Sequence, residues 1–84
     1  MNERLRLQKI YQDLQSFKDL KNDFPLWERL KVLRNYYAFT ACQNLLLDRQ
    51  KEAYEFAEWF DYTEKLYLKA LIREAKRLTP GGEK

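Results

Sequence analysis

Residues 26–47, LWERLKVLRNYYAFTACQNLLL, decide the fold. They contain neither Gly nor Pro, and none follows before Pro80. A strand-rich chain of this size needs several turns, each with its own Gly, Asn or Pro chemistry. The absence of that chemistry predicts an all-helical protein. The stretch also changes character midway. In its first half Leu26, Leu30, Leu33 and Tyr37 recur at helical spacing, and Glu28, Arg29, Lys31 and Arg34 take the opposite face. In its second half, Tyr36 to Cys42 and Leu45 to Leu47 are apolar nearly all round. A helix apolar on every side should be buried on every side. Two neighbouring helices cannot cover it, so this half predicts a partner surface.

The flanking sequence supplies two more helices. Leu7, Ile10, Leu14 and Phe17 follow a 3-4-3 spacing that predicts a first helix over 2–21, with Leu20 and Phe24 extending its stripe. Asn22 or Asp23 would cap the second helix, over 25–47, with Pro25 in its first turn. Asp48-Arg49-Gln50-Lys51 reads as the next turn, with Asp48 as N-cap of a third helix over 49–78. Its predicted stripe is Ala53, Ala57, Phe60, Tyr67, Leu71, Ala75 and Leu78, widened by Phe56, Trp59, Leu66 and Ala70. Asp61 and Glu64 have capping-box spacing and would split this helix near residue 61. No Gly or Pro supports the split, so a continuous helix is expected. Pro80-Gly81-Gly82 stops it and leaves 80–84 as a flexible tail. The fold expected is a three-helix antiparallel bundle forming one domain over 1–79. At about 1.5 Å per residue the third helix overhangs the others.

Size argues for association. The chain has 84 residues and a net charge of +3. Such a domain buries only roughly 60–65% of its unfolded surface, and small domains often add disulfides, metals or oligomerisation. One cysteine, Cys42, and no histidine leave no internal disulfide and no zinc cluster. A homo-oligomer is therefore expected. No apolar run suits a signal peptide or a membrane span, so the expected location is cytoplasmic, with Cys42 reduced.

Enzyme chemistry finds little material. A Ser–His or Cys–His pair requires histidine. Cys42, among Phe39, Ala41 and Leu45, reads as an inert core residue, and Ser16 as surface filler. Gly81 and Gly82 are the only glycines, so no phosphate-binding loop can be drawn. Glu52, Glu55, Glu58, Asp61 and Glu64 recur every third residue, drift around the helix and read as a solvated acidic face. No catalytic residue, cofactor, metal or small-molecule substrate is expected.

Two surfaces remain. Tyr36, Phe39, Leu46, Trp59, Tyr62 and Tyr67 form the candidate self-association and partner surface, since aromatics combine large area with polar tips. Lys65, Lys69, Arg73, Lys76 and Arg77 form a basic stripe suited to nucleic acid or an acidic partner. The same stripe also complements the helix dipole as a plain solvated face. Arg4, Arg6, Lys9, Arg29, Lys31 and Arg34 would join it if the fold gathers them. The expectation is a non-enzymatic interaction module, either adaptor, inhibitor or assembly subunit, of a phage or accessory bacterial kind. The alternative is a nucleic-acid-binding bundle.

Overall fold

The computed structural model describes residues 2–17 and 24–79. Three helices follow one another: α1 (Glu3–Ser16), α2 (Leu26–Leu46) and α3 (Gln50–Leu78). No strand occurs among the described residues. α1 ends at Ser16, with Phe17 already extended at φ −83° and ψ 109°, so it does not run on as the helix expected over 2–21. The stripe position Leu20, the Asn22 or Asp23 cap and the 80–84 tail lie outside the described residues.

Local chemistry sets the helix ends. The Asn2 side chain accepts the Leu5 N–H at 2.9 Å and caps α1. Pro25 is the N-cap of α2, one position before the first turn where it was expected. It has no side-chain cap bond, but its carbonyl accepts the Glu28 and Arg29 N–H groups at 3.1 and 3.2 Å.

Asp48 is not an N-cap. Its φ of 61° lies in the left-handed region, and Arg49 occupies the N-cap of α3. The Asp48 N–H donates to the Leu45 carbonyl at 3.0 Å and the Arg49 N–H to the Asn44 carbonyl at 2.8 Å. That pair of bonds is a Schellman closure of α2, with aspartate where glycine is usual. The αL conformation costs a non-glycine residue roughly 1 kcal/mol. Asp48→Gly is therefore expected to raise stability by about 0.5–1 kcal/mol, read as a higher urea midpoint. A lower midpoint would refute this account of the turn.

The core is built mainly between α2 and α3. Leu30, Leu33 and Tyr37 of α2 are buried with Ile10 and Leu14 of α1. Phe56, Trp59, Phe60, Tyr62, Leu66, Tyr67 and Ala70 of α3 close over them. Burying Leu33 fully contributes roughly 1.5–3 kcal/mol. The contacts run in reverse order along α3. Arg34 meets Glu64 at 2.9 Å and lies 4.7 Å from the centre of the Tyr67 ring, while Tyr37 packs on Phe56 and Trp59.

α1 is held by fewer and more polar contacts. Tyr62 donates to Glu3 at 2.8 Å, Arg6 lies over the Tyr62 ring, and Lys9 over Trp59. The Asp13 carboxylate accepts from both Lys9 and the Tyr37 hydroxyl.

α3 runs unbroken through Asp61, whose carboxylate pairs with Lys65 at 3.6 Å and caps nothing. Its inward stripe is rotated from the expected one. Ala57 and Ala75 are exposed and Thr63 is fully buried, while Leu78, on the arc of Phe60, is exposed at the end of the helix. The Thr63 hydroxyl donates to the Trp59 carbonyl at 2.7 Å, which lets a polar residue sit inside without loss. Phe24 is exposed and does not extend the α1 stripe.

Tyr37 links core packing to alkaline stability. Burial, followed by the hydrogen bond and charge of Asp13, raises its hydroxyl well above the ordinary value of 10. Tyr62, desolvated and bonded to Glu3, is pushed up to about 12. A raised acid keeps its proton in the folded state after the unfolded chain has lost it. Stability is therefore complete below pH 10 and falls as pH climbs past it. One such proton gives a slope of about 1.4 kcal/mol per pH unit. Urea midpoints measured from pH 9 upward should fall less steeply for Tyr37→Phe than for the unsubstituted chain. Equal slopes would show that Tyr37 does not carry the effect.

Candidate interaction surfaces

α2 presents two faces. The first, through Leu30, Leu33 and Tyr37, meets the core. The second carries Val32, Tyr36, Phe39, Gln43 and Leu46 at 4-3-4-3 spacing, all exposed. That is the period of a helix–helix seam. Phe39 is 62% and Leu46 87% exposed, and Leu45 and Leu47 are also open. No charged residue occurs between Arg34 and Asp48. Surface residues without charge or cover are how contact sites differ from the rest of a surface.

Cys42 belongs to this region. It is an exposed free thiol, contrary to the expected core position. The reason is angular: 42 falls on the side of α2 shared with 39 and 46, away from 33 and 37.

The six expected contact residues separate by helix. Tyr36, Phe39 and Leu46 of α2 are exposed. Tyr36 also meets Phe17 edge to face, with ring centroids 5.4 Å apart. Trp59, Tyr62 and Tyr67 of α3 are packed against the core. Trp59 and Tyr62 meet edge to face at 6.3 Å and seat α1 through Lys9, Arg6 and Glu3.

The basic stripe is exposed throughout. Lys65 is tied to Asp61. Arg77 forks onto Glu74 at 2.6 and 3.1 Å and holds that carboxyl below its usual range. Lys69, Arg73 and Lys76 have no carboxylate partner among the described residues. Lys69 and Arg73 border a cleft of about 150 Å³ floored by Ile10, Leu30, Leu66 and Ala70. The other basic residues do not gather into one field. Arg6 and Lys9 lie over the α3 aromatics, Arg34 is paired with Glu64, and Arg29 donates to the Phe24 carbonyl.

A wider groove of about 760 Å³ lies along the acidic half of α3, lined by Tyr54, Glu58, Trp59, Asp61 and Lys65, with Arg6 from α1. Leu68 and Ile72 are exposed on α3 beside Tyr54 and were not among the residues expected to make contacts. Their spacing would have revealed them, because they share a face that excludes the buried Thr63. Among the described residues no three His, Cys, Asp or Glu side chains cluster as metal ligands. No helix there is long and apolar enough to cross a membrane. The chain matches no protein-family model, no curated protein and no solved structure.

Proposed function

We propose that this chain is a non-enzymatic, cytoplasmic protein–protein interaction module, an adaptor, inhibitor or assembly subunit. Its three helices act as one antiparallel bundle, and it self-associates through exposed apolar and aromatic surface. The observation that carries the reading is the uncharged second half of α2, with Phe39 and Leu46 open beside a core that α2 already fills with its other face. Cys42 provides an internal reporter. Its modification by a thiol reagent should slow as protein concentration rises, because association covers the α2 face on which it lies. A labelling rate independent of concentration, together with a one-chain mass by light scattering, would reject self-association through α2.

Lys69, Arg73 and Lys76, without a carboxylate partner among the described residues, support a second reading as a nucleic-acid binder. Affinity should then fall with salt with a slope of about −0.9 per duplex phosphate contact. Exchanging all three for Glu should abolish binding and leave helicity intact. Equal binding by that variant would remove this reading.

A further inference from the structure

We propose that a second copy of this chain docks on the outer face of α3. The two α3 helices would lie antiparallel about a two-fold axis level with Thr63. This rests on the reading above that the chain self-associates, and it assigns the contact to a surface separate from α2. The face consists of Tyr54, Ala57, Asp61, Lys65, Leu68, Ile72 and Ala75, a 3-4-4-3-4-3 spacing that holds one side of a nearly straight helix. Every one of these residues is exposed, with Tyr54 at 66% and Ile72 at 56%.

Charge selects the occupant and its direction. α3 carries Glu52, Glu55, Glu58, Asp61 and Glu64 in its first half, without an intervening base. Lys65, Lys69, Arg73, Lys76 and Arg77 follow, interrupted only by Glu74. A second α3 laid antiparallel sets acidic half against basic half twice over, by symmetry. A parallel copy sets like on like. With the axis at residue 63, Asp61 faces the partner's Lys65, Tyr54 the partner's Ile72, and Glu58 the partner's Leu68, one position from Lys69. The groove of about 760 Å³ lies on the acidic half, between α3 and Arg6. It is therefore open where the partner's Leu68 and Ile72 would enter. The apolar positions lie toward both ends and the charges at the middle, so the charges fix register while the ends supply area.

Two charge variants test this. One replaces Glu58 and Asp61 by Lys, making the facing positions all basic. The other replaces Lys65 by Asp and Lys69 by Glu, making them all acidic. All four residues are exposed, so both variants should keep full helicity by circular dichroism. In each alone the α3 contact is expected to be at least about a hundredfold weaker, since facing like charges repel, leaving only the smaller species held through α2. Mixed in equal amounts they should regain the α3 contact as hetero-pairs, visible by native mass spectrometry as complexes holding equal numbers of the two variants. If each variant alone keeps the parent's mass and mixing shows no preference, the α3 pairing is wrong and association through α2 stands. A parent chain that stays monomeric up to its solubility limit overturns both. Ile72→Ser, which leaves every charge in place, should also weaken association, and an unchanged dimer would count against this face.

Discussion

Tyr37→Ala is expected to remove about 3–5 kcal/mol of folding stability, the range for truncating a large buried aromatic. A domain of this length has roughly 4–13 kcal/mol in total, so the loss is a large share of it. The reason is position. Tyr37 is fully buried and touches the Tyr36, Phe56 and Trp59 rings at centroid distances of 5.8–6.4 Å. Its hydroxyl donates to Asp13, so one side chain joins all three helices. Truncation leaves a cavity between α2 and α3 and frees the Asp13 carboxylate from its α2 partner. Tyr37→Phe separates the two contributions. It keeps the ring and should cost only about 1–3 kcal/mol, the worth of a hydrogen bond to a charged group. The measurement is urea unfolding at fixed protein concentration, because association adds apparent stability. An Ala variant within about 1 kcal/mol of the parent would mean that the core does not depend on Tyr37.

Phe39→Asp should do the opposite: leave the single chain folded and weaken its association through α2. Phe39 is largely exposed and absent from the core, so its replacement opens no cavity. In an associated state it would sit beside Leu46 in a stretch with no charge from 35 to 47. Placing an unpaired carboxylate there should weaken association by about 2–4 kcal/mol, roughly 30- to 1,000-fold. Leu46→Asp should act in the same direction. Light scattering after gel filtration reads the mass, and circular dichroism the helicity. An unchanged mass with unchanged helicity would move the contact away from α2. The α3 charge variants would then decide whether it lies on that helix.

These two substitutions sit two residues apart and act on opposite sides of one helix. Position on the helix circumference explains the difference, and the sequence carries much of that information. The spacing of Leu26, Leu30, Leu33 and Tyr37 gave the inward face of α2, and the structure buries or half-buries each of them. The lack of Gly and Pro from residue 26 through residue 79 gave the helical class and the unbroken α3.

The misreadings share a cause. Cys42, Ala57 and Ala75 are apolar, yet they lie on exposed arcs, and Leu78, on the arc of Phe60, is exposed at the last residue of α3. Thr63 is polar, yet it is buried. Residue type estimates how much burial would stabilise a side chain. It does not state in which direction the neighbouring helix lies.

Sequence by itself therefore determined the helical class, the inner face of α2 and the uncharged segment beside it. All three follow from the 3.6-residue period and from residues that cannot break a helix. Only the tertiary structure decided which α3 aromatics are spent in the core, that Asp48 closes α2 rather than opening α3, and that α3 keeps a free outer face. Those outcomes depend on where α1 and α2 lie around α3. Their placement follows from contacts such as Tyr37 with Asp13 and Arg34 with Glu64, 24 and 30 residues apart, which no local period encodes.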